Sequence, residues 1–87
     1  MALYLVERRQ TGISVEQLVK AQGAAIEMSQ RFTAKGNPAY YIRTTFVPSA
    51  SRCLTLFEAL NGKVVQEVHE AAQIPFDRVI EAVELIP

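Results

Sequence analysis

One cysteine, Cys53, and one histidine, His69, supply all the thiol and imidazole chemistry of this 87-residue chain. A lone thiol cannot close an intrachain disulfide, so a stapled secreted scaffold is excluded, and a cysteine-rich zinc site is excluded with it. Excess charge of one sign is missing too: nine Lys and Arg balance nine Asp and Glu. A general nucleic-acid binder needs many uncompensated cations to displace counterions from phosphates, and a polybasic membrane anchor needs them for acidic lipid. Neither is expected here. Long apolar runs are also missing. Leu3-Tyr4-Leu5-Val6 is followed at once by Glu7-Arg8-Arg9, far too short to span a bilayer. The start of the chain lacks the ordered charged, apolar and small-residue sections of a signal peptide, so a soluble cytoplasmic protein is expected.

What is present fits one small folded domain over residues 1–87. The usual allowance of roughly 100–200 residues per domain leaves no room for a second. Hydrophobic residues make up 49% and charged residues 21%, with four glycines and four prolines, which is not a disordered composition. A chain of this size hides about 60–65% of its extended surface, so its core is thin.

Ala2 to Arg8 is short, apolar and rich in strand formers, and ends at the turn signal Gln10-Thr11-Gly12. Ser14 and Gln17 form a capping-box pattern that opens a helix. Val15, Leu18, Val19, Ala25, Ile26 and Phe32 keep helical spacing, interrupted by Gln22 and Ser29, and Gly36 stops it. Ala39 to Val47 is the strongest strand signal. Pro48-Ser49-Ala50-Ser51 turns the chain into a third strand, Arg52 to Glu58. A second helix is expected from Asn61 or Gly62 to about Ala72, ended by Pro75, and a last strand from Phe76 or Asp77 to Leu85. The order is β-α-β-β-α-β. With right-handed crossovers this is the α+β ferredoxin-like sandwich: an antiparallel four-stranded sheet of order 4-1-3-2, both helices on one face.

Strand alternation divides the residues between two faces. One set is Tyr4, Val6, Ile42, Phe46, Cys53, Thr55, Phe57, Val79 and Val83, read as the helix-covered side. The other is Leu3, Leu5, Glu7, Tyr41, Arg43, Leu54, Leu56, Glu58, Ile80, Ala82 and Glu84. An open sheet face in water should be polar, yet this one carries four leucines and an isoleucine in a continuous patch. A two-fold homodimer packed sheet on sheet is therefore expected.

The chemistry-bearing residues are few. His69 has Val65 and Gln73 as its four-residue neighbours, so no helix-borne metal chelate stands with it, and spacing alone reads it as an ordinary half-buried or surface histidine. Cys53 sits at core parity, where a free cysteine behaves as a small hydrophobe, and nothing in the sequence orients a Cys–His nucleophile pair. Glu7 and Glu58 end antiparallel neighbouring strands and so lie at opposite sheet ends. Glu7 shares an end with Arg78, and ion pairing with Arg8, Arg43, Arg52 and Arg78 is the ordinary expectation for these acids. Strand three lacks the Gly-aromatic pattern of the RNA-binding version of this fold, and no phosphate loop, dinucleotide fingerprint, serine elbow or calcium loop occurs.

Several segments together carry a family resemblance. They are Leu5-Val6-Glu7-Arg8, Tyr41-Ile42-Arg43-Thr44-Thr45-Phe46-Val47-Pro48, Cys53-Leu54-Thr55-Leu56-Phe57-Glu58-Ala59, Val65-Gln66-Glu67-Val68-His69-Glu70-Ala71-Ala72, Ile74-Pro75 and Val79-Ile80-Glu81-Ala82. In their order and spacing the chain resembles a group of small bacterial ferredoxin-like proteins, formerly a domain of unknown function, whose founding member binds nickel. The resemblance implies a dimer and nickel binding and does not imply an enzyme, with His69, Glu58, Glu7 and Cys53 as candidate metal ligands; the first class of function is thus a dimeric binding module for a metal ion or a small molecule. Where that group often has Gly before the Ile/Leu-Pro, this chain has Gln73. A second class stays open: a dimeric α/β-barrel enzyme of the same topology, such as a cofactor-free monooxygenase or isomerase. It would use Tyr4, Tyr40, Arg43 and His69 around an enclosed pocket of roughly 300 Å³ or more.

Overall fold

The computed structural model describes residues 1–87. Strand β1 (Ala2–Arg9) leads into helix α1 (Val15–Ala34), strand β2 (Ala39–Val47), a 3₁₀ turn at Pro48–Ala50, strand β3 (Arg52–Ala59), helix α2 (Gly62–Ala71) and strand β4 (Arg78–Ala82). The sheet order is β2-β3-β1-β4, the expected 4-1-3-2 read from the other edge, with every neighbouring pair antiparallel.

The helix ends follow from local chemistry. Ser14 accepts from the Gln17 N–H at 3.1 Å while the Gln17 side chain accepts from the Ser14 N–H at 2.9 Å, the capping box the sequence predicts. Asn61 caps α2 through the Val64 N–H at 2.9 Å. Both helices end in Schellman motifs. In α1, Asn37 N–H reaches the Phe32 carbonyl and Gly36 N–H the Thr33 carbonyl, with Gly36 at φ +89°. In α2, Ile74 N–H reaches the His69 carbonyl and Gln73 N–H the Glu70 carbonyl, with Gln73 at φ +57°. Helix α2 thus stops through its own cap, four residues before Pro75.

Core packing lies between helices and sheet. Val6, Ala39, Phe57 and Ala59 from the strands meet Ala25 of α1, Val64, Val65 and Val68 of α2, and Ile74. Phe57 is fully buried, and its ring meets those of Tyr41 and His69 edge-on at 5.6 and 5.4 Å.

Two expectations are corrected. The pairing of β2 with β3 shifts between Tyr41 and Arg43, so Ile42 is an extra residue in β2, a bulge. Tyr41 consequently stands opposite Phe57 on the helix-covered side, not on the open face, and the alternation assigned to Tyr41 and Ile42 from sequence is overturned there. Arg43 opposite Leu56, and Thr44 opposite Thr55, resume the expected parity. The last strand is also shorter than predicted. It stops at Ala82, and Val83–Pro87 leave the ladder. Glu84 ion-pairs with Arg43 of β2, the opposite edge strand, so this tail turns back across the open face instead of extending β4.

Candidate functional site

The open face forms from cross-strand register. Leu5 lies opposite Leu56 on one side and Ile80 on the other; Leu3 lies opposite Glu58 and Ala82; Leu54 lies opposite Glu7 and Thr45. The five apolar strand-centre residues therefore lie side by side along one belt. A hollow of about 270 Å³ opens in it, lined by Leu5, Leu54 and Leu56 and bordered by Arg43, Val83 and Glu84. Leu56 is buried under this border, whereas Val83, Leu85 and Ile86 of the tail are more than three-quarters exposed. At one end of the belt the Glu7 carboxylate takes Arg78 Nε at 3.0 Å and Nη2 at 3.1 Å. That guanidinium holds the Glu7 carboxyl below its ordinary range, and Glu7 in turn raises the Arg78 pKa. At the other end Glu58, opposite Tyr40 and Leu3, is exposed and makes no ion pair or hydrogen bond.

The helix-covered side carries a second polar cluster, which sequence reasoning passed over. Arg8 follows Tyr4 and Val6 at the same parity, so it points under the helices, and it is only 6% exposed. The surface ion pair expected for it does not form. Its Nη2 donates to the Cys53 sulfur at 3.4 Å across the β1–β3 pair, and its Nε–H is buried without a partner. Parity was the signal that could have found it. Beside it run three hydroxyls in series: Gln22 Nε2 donates to Tyr41 at 3.1 Å, Tyr41 bonds Thr44, and Thr44 lies 2.9 Å from Thr55. His69 closes the cluster. Its Nδ1 lies 2.8 Å from the Val65 carbonyl, which can only accept, so Nδ1 carries the proton. Burial pushes the His69 pKa down; the Val65 hydrogen bond opposes this and the nearby Arg8 charge adds to it.

The four candidate ligands therefore divide. Glu7 and Glu58 lie on the open face at opposite ends, as expected, and His69 and Cys53 lie on the covered face. No three His, Cys, Asp or Glu side chains converge to hold one ion. The covered pair does not suit a divalent cation, because a buried guanidinium already stands against both. Divalent nickel takes imidazole, thiolate and carboxylate donors, and a fixed positive charge beside two of them opposes its entry. Of the residues considered for an enzyme pocket, Tyr40 and Arg43 sit at open-face positions, while Tyr4 and His69 pack into the core. The space between sheet and helices at the Arg8 cluster measures about 10 Å³. A larger hollow, about 410 Å³, is an open groove between α1 and the edge strand β2; its polar groups are hydroxyls and one amide, with no carboxylate, histidine or cysteine.

No helix is long and apolar enough to cross a membrane. A comparison with curated proteins finds no match. Among solved structures, the fold matches that reported as the crystal structure analysis of SCO4226 from Streptomyces coelicolor A3(2), with a TM-score of 0.83, 22% sequence identity, and coverage of 98% of this chain and 100% of that one. At that identity the likeness speaks for the fold. The family model described as nickel responsive protein SCO4226-like matches residues 4–82, nearly the whole chain, and on that match this protein belongs to that family.

Proposed function

We propose that this chain is a non-enzymatic bacterial, cytoplasmic binding protein that works as a homodimer through its open sheet face, and that nickel is the ion it answers to. The apolar belt carries the dimer. Fully burying a Leu or Ile side chain is worth about 1.5–3 kcal/mol, and Leu3, Leu5, Leu54 and Ile80 remain partly exposed in a lone chain. Each gains a part of that figure when a second copy covers it, which works against an association cost of about 4–15 kcal/mol. A two-fold axis through the belt lays the same patch on itself, and the exposed Val83, Leu85 and Ile86 of the tail add apolar surface beside it. Against the enzyme reading stands the small volume inside the sandwich.

Nickel is supported by family membership and not by a centre assembled within one protomer. The four candidate donors enter this proposal unequally. Glu58 has the free carboxylate and lies on the face that a second copy covers, so a two-fold interface brings in a second Glu58. Glu7 is held by Arg78, and Cys53 and His69 share their side with Arg8.

Calorimetric titration with nickel of the wild type, Glu58→Gln and His69→Ala is the test. Saturable heat in the wild type, lost in Glu58→Gln and kept in His69→Ala, supports this assignment. Loss only in His69→Ala moves the site to the covered face, and no heat in the wild type removes the metal from the proposal.

A further inference from the structure

The hollow on the open face already carries a carboxylate at its rim, and the chain supplies it from its own tail. Glu84 pairs with Arg43 at the edge of the space of about 270 Å³ that Leu5, Leu54 and Leu56 floor. Apolar contact does not hold the tail there. Val83, Leu85 and Ile86 are more than three-quarters exposed, whereas the Glu84 side chain among them is 35% exposed. The face takes in the acid and leaves the hydrophobes in water, the reverse of what burial alone dictates. Arg43 is the cause. It stands opposite Leu56, and Thr45, two residues on along β2, stands opposite Leu54, so a guanidinium and a hydroxyl share one edge of the hollow. A planar guanidinium takes a carboxylate through paired N–H donors, and a hydroxyl adds another. The Arg43 side chain is 58% exposed, and an ion pair this wet is weakly held. A second carboxylate of the right shape can therefore replace Glu84.

We propose that this hollow binds a small organic acid with an apolar body. Its single carboxylate takes Arg43 and Thr45, and its aliphatic or aromatic body lies on Leu5, Leu54 and Leu56. Glu84 is the built-in competitor for the charged end. The volume falls just below the roughly 300 Å³ at which pockets for drug-sized molecules begin, which selects a compact body. Arg43 is the one cation lining the hollow, which selects a monocarboxylate over a phosphate or a diacid. The site lies on the face assigned to the dimer but belongs to one protomer, and it uses neither the second copy nor Glu58.

Sodium octanoate is the probe, with octanol as its uncharged counterpart. Backbone amide and Arg43 Nε–H resonances of isotope-labelled protein are followed at fixed protein concentration as each is added. Resonance changes on dilution without ligand report the dimer, so either reading can fail without the other. The expected result is a saturable shift at Leu5, Leu54, Leu56 and Arg43 with octanoate, and far weaker binding of octanol. Glu84→Gln should raise octanoate affinity by up to about fivefold, the worth of an exposed ion pair. Arg43→Gln should abolish the response and Arg43→Lys should keep part of it. A purely structural role for the ion pair moves Glu84→Gln and Arg43→Gln in the same direction, and that outcome overturns the inference. So do equal responses to octanol and octanoate, shifts that fall on Ile26 and Ala34 of the α1–β2 groove, and the absence of any shift.

Discussion

Phe57 is the residue on which the core turns. It is wholly buried, and the rings of Tyr41 and His69 close on it edge-on. Phe57→Ala removes the transfer energy of a large ring and leaves a cavity, so a loss of about 3–5 kcal/mol in urea denaturation is expected. His69 gives the protein a pH signature. Its folded-state pKa lies below the ordinary 6.5, with burial as the main cause. Well above pH 6.5 both folded and unfolded histidine are neutral, and the group contributes nothing to pH dependence. As pH falls through 6.5 the unfolded state takes up a proton that the folded state refuses, so stability drops until the folded pKa is reached. The groups facing the ring are Arg8 and the neutral Val65 carbonyl, with Phe57 and Phe76 against its faces. Denaturation midpoints measured from pH 7.5 downward should fall in the wild type, and this fall should vanish in His69→Phe. Glu7 acts in a separate window. Its pKa is lowered, chiefly by the Arg78 hydrogen bond, so its contribution is lost only as pH falls below the ordinary carboxylate range.

At the scale of elements, the two Schellman ends make an internal comparison. Gly36 takes the left-handed position of α1 without steric cost, whereas Gln73 takes the same position in α2 with a side chain in place. Gln73→Gly is therefore expected to raise stability by up to about 1 kcal/mol, read as a higher denaturation midpoint with activity-independent optics. Element order, both helix starts and the sheet order were legible in sequence, because caps and period-two patterns are local signals. The bulge at Ile42 was not, since an extra residue is visible only in the pairing partner's register. The end of β4 was not either. Val83-Glu84-Leu85 continues a strand-like pattern, and only the Arg43–Glu84 ion pair across the sheet shows the chain leaving the ladder. For the site the split is similar. Opposite ends for Glu7 and Glu58, and the pairing of Glu7 with Arg78, followed from strand direction. Arg8 was missed because charge suggested solvent while its parity with Tyr4 and Val6 pointed inward.

At the scale of the whole molecule, the sandwich has one finished side and one unfinished side. Helices close the first over Phe57, Val65 and Val68. The second offers a leucine belt, a hollow and an apolar tail. The account's central claim is that a second copy completes it. Sedimentation equilibrium of the wild type beside Leu54→Lys tests this most directly, because Leu54 is half-buried on the belt and its substitution spares the core under the helices. The expected result is twice the chain mass for the wild type at micromolar concentration, and a shift to single-chain mass with retained circular dichroism for Leu54→Lys. A wild type that sediments as one folded chain across that range would contradict the claim.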